Sequence, residues 1–210
     1  YLVDNNIFTS PYSFENASQG GAYVHNLVLG NMKHWIILDR STPYHFPHTT
    51  AMLASSFIYG GDDRFYQNIF VGGADTYGEK KGISCGTAAF DEHPSSYEEY
   101  IELIEQAFQR IGKPAAVMTK DDKIDFIRLL NDVREKDSYR GTETLNAKVV
   151  KEGMEVYLEF EVDENILNQK AVIMQTEDFG YTRTADALFE NPDGTAITFD
   201  TDYCGEKRRA

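Results

Sequence analysis

The sequence is poor in cysteine, in basic residues and in long apolar runs. Its two cysteines, Cys85 and Cys204, stand far apart. Two distant cysteines make neither a disulfide framework nor a zinc ligand pair, so both read as free thiols of a reducing, cytoplasmic setting. Lysine and arginine total 20 against 34 acidic residues, a net charge of −14. That sign repels a phosphate backbone, which argues against nucleic acid as a partner, and it is compatible with a neutral substrate such as a sugar. No apolar run approaches the ~20 residues that cross a bilayer, so no membrane association is expected, and no signal peptide is visible. A Gly-x-Ser-x-Gly elbow, a phosphate loop and a dinucleotide glycine fingerprint are all missing, and no cofactor is expected. His45 and His48 have a spacing compatible with metal ligation, but no third ligand sits at a telling distance, and no metal is expected. The 210 residues suffice for one large or two small domains. The opening Tyr1-Leu2-Val3-Asp4 reads as the middle of a strand, so more chain is expected before it.

What is present is a repeat. The stretch from Ser18 to Asn31 holds a short apolar run, an asparagine beside it and a Gly-Asn turn. The same kernel occurs as Val3-Asp4-Asn5-Asn6-Ile7-Phe8 and as Phe65-Tyr66-Gln67-Asn68-Ile69-Phe70. Asn6, Asn26 and Asn68 fall in register at spacings of 20 and 42, the second close to twice the first. A unit of roughly 20 residues built on short β-rich runs is the mark of a solenoid. Such a unit is too small to bury its apolar side chains alone, and stacking pairs its strands in parallel around a continuous interior. A repeated asparagine at the turn then bonds its equivalents above and below. The alternative is three unrelated strands.

The chain divides by period. Residues 1–90 read as β-helix coils, including strands over Trp35–Leu38, Ala54–Tyr59 and Ile83–Phe90. Between the first two lies a polar, aromatic loop over 39–50, where Pro43 and Pro47 exclude a regular helix or central strand. Residues 91–141 read as a helical hairpin insert. Ser95 and Ser96 cap a helix whose Tyr100, Ile101, Ile104, Ala107, Phe108 and Ile111 recur at helical spacing. A second amphipathic helix follows over 120–136, then a charged exit loop at 137–141. Residues 142–210 read as an antiparallel β-rich cap and tail. There Val156-Leu158-Phe160-Val162 alternate with polar residues, Glu152-Gly153-Met154 turns, and Lys170–Thr176 is a more buried strand.

Chemistry concentrates in the loop. Arg40, Tyr44, His45 and His48 are dense for an acidic chain, and an aromatic ring among hydrogen-bonding side chains on a rigid scaffold is how sugar pockets are built. Gln19, at the entry to the repeat stretch, can line the same face. Together these form the candidate substrate-binding set. The bland alternative is a solvent-facing loop whose polar groups satisfy its own turns. Gly60-Gly61-Asp62-Asp63-Arg64 reads either as a sugar contact or as a corner with a surface Asp–Arg pair of small energetic value.

Several blocks taken together resemble a known family. Ser18–Leu27 followed by Thr42–Thr50, then Gly61–Gly72, and Glu190–Thr195 with Asp200–Tyr203 are similar to the right-handed parallel β-helix enzymes of glycoside hydrolase family 120, the β-xylosidases. The resemblance covers about 1–90 and 142–206. It implies a retaining glycosidase with a carboxylate nucleophile and a carboxyl acid/base. It also implies that both lie upstream of the matched part, so this chain is expected to carry no catalytic residue and to be inactive alone. The implied partner is a xylo-oligosaccharide. A free N-terminal coil edge is further expected to invite homo-oligomers. Residues 104–137 separately resemble a segment of YheO-type PAS-like bacterial regulators, without their DNA-reading helices. A non-catalytic carbohydrate-binding module and a composite protein are the alternative functions.

Overall fold

The computed structural model describes residues 1–10, 12–34, 37–58, 62–71, 83–84, 135–141, 145–182 and 185–208, with Glu98, Glu102, Glu105, Gln106 and Gln109. The fold is mainly β. Its centre is three ladders of short strands. In the first, β1 (Leu2–Asp4), β4 (Ala22–Val24), β9 (Arg64–Tyr66) and β12 (Glu135–Lys136) pair in parallel in that order. In the second, β2 (Ile7–Phe8), β5 (Leu27–Val28), β10 (Ile69–Phe70) and β13 (Tyr139–Arg140) do the same. In the third, β3 (Tyr12–Asn16) pairs in parallel with β6 (Asn31–His34), to which β11 (Ile83–Ser84) adds in antiparallel sense. β1, β2 and β3 each end their sheet.

One corner repeats in every rung. Asn5, His25, Gln67 and Asp137 join a first-ladder strand to a second-ladder strand, and all four take a left-handed backbone with φ of 53–56°. The next residue forms a column of side chains. Asn26 Oδ1 accepts from the Asn6 backbone N–H at 3.0 Å, and Asn68 Oδ1 accepts from the Asn26 N–H at 3.0 Å. Ser138 Oγ accepts from the Asn68 N–H at 3.0 Å and donates to the Phe65 carbonyl at 3.1 Å. The side-chain amides of Asn26 and Asn68 donate back to Val3 and Tyr23 carbonyls at 2.9 Å. Backbone donors that the tight corner would orphan are thereby satisfied.

Two expectations change here. The spacing of 42 is one rung, not two, because Asn26 and Asn68 bond each other directly. The extra residues include an inserted antiparallel ribbon, β7 (Ile37–His45) with β8 (Met52–Ile58). Residues 135–141, expected to end the helical insert and its exit loop, are instead a further rung. Glu135-Lys136-Asp137-Ser138-Tyr139-Arg140 has a serine where the kernel has asparagine, and a serine hydroxyl supplies the same donor and acceptor. The rest of the expected insert, including nearly all of the regulator-like segment, falls outside the described residues; Glu98, Glu102, Glu105, Gln106 and Gln109 are helical and exposed.

Strand alternation sends side chains to two cores. Tyr23, Val28, Met32, Phe65 and Phe70 fill the interior, with Val3, Phe8 and Phe14 at its edge. Tyr23 stacks on Phe65 at 4.6 Å and on Phe14 at 5.3 Å, contacts worth ~0.5–1.5 kcal/mol each beyond burial. Ala22, Val24 and Tyr66 face outward and are covered by Met174, Phe179, Phe189 and Phe199 of the C-terminal segment.

That segment differs from the expected β-rich cap. β14 (Lys148–Glu152) and β15 (Glu155–Glu159) form the expected hairpin. Beyond it come two one-turn helices, α1 (Glu164–Leu167) and α2 (Thr176–Phe179), and isolated bridges such as Gln175 to Thr198. Lys170–Thr176 is no strand: Lys170 and Ala171 are exposed, and Thr176 opens α2. The apolar residues of the segment pack on one another and on the first ladder in one cluster, instead of lying along regular strands.

Candidate functional site

The loop expected at 39–50 is mostly strand β7, and only residues 46–51 make the tip. Pro43 pairs with Ser55 in a two-stranded ribbon, where both strands are edges and the missing N–H costs little. The tip is fixed by the Phe46 N–H donating to the Ala51 carbonyl at 3.0 Å and by Thr49 Oγ1 donating to the Phe46 carbonyl at 3.2 Å.

His45 and His48 line one cleft of about 230 Å³ with Tyr1, Thr182, Phe189 and Glu190. His48 Nε2 meets Glu190 Oε1 at 2.7 Å, joining the tip to the C-terminal segment. Below, Gln19 is buried and its amide donates to the Tyr44 hydroxyl at 3.5 Å. Burial raises the Tyr44 phenol above its usual range. Of the five residues expected to bind substrate, the structure thus brings together His45 with His48, and Gln19 with Tyr44. Arg40 lies in β7, and its side chain is not among those described.

Sequence reasoning missed the polar centre beneath the cleft. Asp63 is buried and receives three donors: the Gly21 N–H at 2.7 Å, the Asn16 amide at 2.9 Å and the Tyr1 hydroxyl at 3.1 Å. Those donors favour the carboxylate, but burial outweighs them and pushes the Asp63 pKa up to about 7. The Tyr1 hydroxyl is also 3.1 Å from Asn16 Oδ1, and one hydroxyl proton cannot serve both oxygens. A protonated Asp63 removes the conflict by donating to Tyr1. Close approach builds this centre: a Cβ on Gly21 would lie 2.2 Å from the Tyr1 ring. The neighbouring Asp62–Arg64 pair, expected either as a sugar contact or as a surface pair at a corner, is buried at 2.7 Å. Arg64 also donates to the Phe179 and Tyr181 carbonyls at 2.9 and 2.7 Å. This pair pins the C-terminal segment to β9.

Both buried carboxylates have internal partners, Asp63 at both oxygens and Asp62 at Oδ1. Among the described residues no group of histidine, cysteine and carboxylate could hold a metal ion. No helix among them is long and apolar enough to cross a membrane. Cys204 is an exposed free thiol.

A solved structure described as the complex of XylC with xylose matches the chain with a TM-score of 0.69 and 35% identity. The match covers 100% of this chain and 32% of that one. This chain shares its fold with that part of XylC. It spans about a third of XylC's length. No family model and no curated protein matches the chain.

Proposed function

We propose that the chain is part of a β-xylosidase-like retaining glycoside hydrolase, built as coils of a right-handed parallel β-helix. In this reading it supplies scaffold and one wall of a sugar pocket and leaves catalysis to residues elsewhere. The observation that carries the reading is the cleft of His45, His48 and Glu190 in a chain that is 35% identical to part of a protein holding xylose. Imidazoles from the ribbon tip and a carboxylate from the C-terminal segment combine donors and acceptors as sugar hydroxyls require. A pentose or xylo-oligosaccharide is the ligand class proposed for this cleft. The internal partners of Asp62 and Asp63 fit a reading in which these two residues are structural. Gln19 and Tyr44 hold the wall from behind, Gln19 through its buried amide.

The test has two arms. Calorimetric titration with xylobiose is expected to give binding that falls about tenfold in His48→Ala, the ~1.4 kcal/mol of one lost hydrogen bond. The isolated chain is expected to release no aryl product from an aryl β-xyloside. Turnover well above buffer that is abolished by changing Glu15, an exposed carboxylate in β3, overturns the assignment of catalysis elsewhere. Binding without turnover is also what a non-catalytic carbohydrate-binding module gives, the second reading, which the two internally engaged carboxylates favour.

A further inference from the structure

The β14–β15 hairpin has an unusual surface. It forms a sheet of two strands only, and no other described strand pairs with it. Val149, Val156 and Tyr157 are exposed on it, and Met154 at the turn is wholly so. A lone two-stranded ribbon with apolar side chains in water is marginal by itself and gains from further strands.

Its register fixes which backbone groups are open. Glu152 and Glu155 close a two-residue turn, with Gly153 at φ +64°. The closing pair of such a turn is the hydrogen-bonded kind, and the two kinds of pair alternate along the ribbon. Val150 therefore bonds inward to Tyr157, while the N–H and C=O of Val149 and Lys151 point outward from β14. The charges on the ribbon are unevenly spread. Lys148 pairs with Glu159 across the hairpin at 2.8 Å. Glu152 faces Glu155, like charges directly opposite, which is unfavourable unless a cation arrives.

A second copy of the same strand supplies that cation. Set β14 antiparallel to itself about Val150, and Lys148 of each strand faces Glu152 of the other. Val149 then faces Lys151, so the outward backbone groups meet as hydrogen-bonded pairs, and Val150 meets Val150 at the axis. The other edge does not do this: β15 set against itself about Tyr157 places Glu155 opposite Glu159. We infer that β14 is a self-complementary edge through which two copies of this chain join, making a four-stranded antiparallel sheet across a two-fold axis. The contact is isologous and closed, so it stops at the dimer. It does not use the cleft of His45 and His48 and does not depend on the reading of that cleft.

Sedimentation velocity over a range of protein concentration tests this. The wild-type mass is expected to double as concentration rises. Glu152→Lys sets lysine against Lys148 of the second copy while improving the pair with Glu155 inside the hairpin, so the chain stays folded and monomeric. Val149→Pro removes an outward donor without touching the hairpin's own ladder and is expected to act alike. Adding Lys148→Glu to Glu152→Lys restores opposite charges across the axis and is expected to restore the doubled mass. A wild type that is monomeric throughout overturns the inference. So does a dimer that persists in both Glu152→Lys and Val149→Pro, which would place the contact on another edge.

Discussion

Replacing Asn68 with alanine tests whether the column of corner side chains holds the rungs together. Asn68 is 1% exposed, and its Oδ1 accepts from both the backbone and the side-chain nitrogen of Asn26 at 3.0 Å. Its amide donates to the Tyr23 carbonyl at 2.9 Å. Alanine leaves two donors and one acceptor without these partners in the interior. The Asn26 amide keeps its bond to the Val3 carbonyl, so two groups are orphaned, and at ~1–3 kcal/mol each the expected loss is about 2–6 kcal/mol. That is a large share of the ~5–15 kcal/mol that holds a domain folded. Asn6 occupies the same place in the first rung but is exposed, so water replaces its bonds and Asn6→Ala should cost under ~1 kcal/mol. Ser138→Ala falls between, since it removes one acceptor and one donor that are partly buried. Urea unfolding followed by far-ultraviolet circular dichroism reads the series. With a slope of ~2 kcal/mol per molar, Asn68→Ala should lower the midpoint by about 2 M. If Asn68→Ala and Asn6→Ala have the same midpoint, the column is ornamental and the reasoning fails.

Asp63, which is buried, and His25, which is half-buried, give opposite pH slopes. Asp63 has its pKa raised from 3.8 to about 7, so between these values the folded chain keeps a proton that the unfolded chain releases. Its contribution to stability therefore falls as pH rises through that window, and Asp63→Asn should remove this slope from a plot of urea midpoint against pH. His25 donates from Nε2 to the Val172 carbonyl at 3.2 Å, and burial with the nearby Arg208 lowers its pKa from 6.5 to about 4. The unfolded chain binds a proton there first, so stability falls as pH drops from 6.5 toward 4, and His25→Asn, which tolerates the left-handed corner, should flatten that limb. Gly21→Ala drives a methyl into the Tyr1 ring and should cost ~1–3 kcal/mol in the same unfolding assay, with loss of the Tyr1 contact to Asp63. A midpoint unchanged by Gly21→Ala would show that Tyr1 is not held over this glycine.

The repeat was legible because the corner needs the same residue type each time. Asn6, Asn26 and Asn68 are the residues whose side chains bridge rungs, so their register survives in the sequence. The last rung escaped notice because Ser138 does the asparagine's work with a different side chain, and because Glu135 and Lys136 carry none of the apolar pattern. Insert length also misled. A spacing near twice the period suggested two rungs, whereas the ribbon of β7 and β8 accounts for the excess. At the site, exposed polar residues such as His45 and His48 were visible as a dense cluster. Asn16 and Glu190 were not, and Asp63 was read only within a sugar contact or a surface corner, because their partners are distant in sequence and one carboxylate looks like any other in a chain this acidic.

The proposed sugar wall is tested most directly by titrating the isotope-labelled chain with xylobiose and following backbone and side-chain resonances. The expected result is saturable shifts at Tyr44, His45, His48 and Glu190, lost in His48→Ala while the rest of the spectrum is unchanged. Resonances of those four residues that stay still at saturating sugar would contradict it.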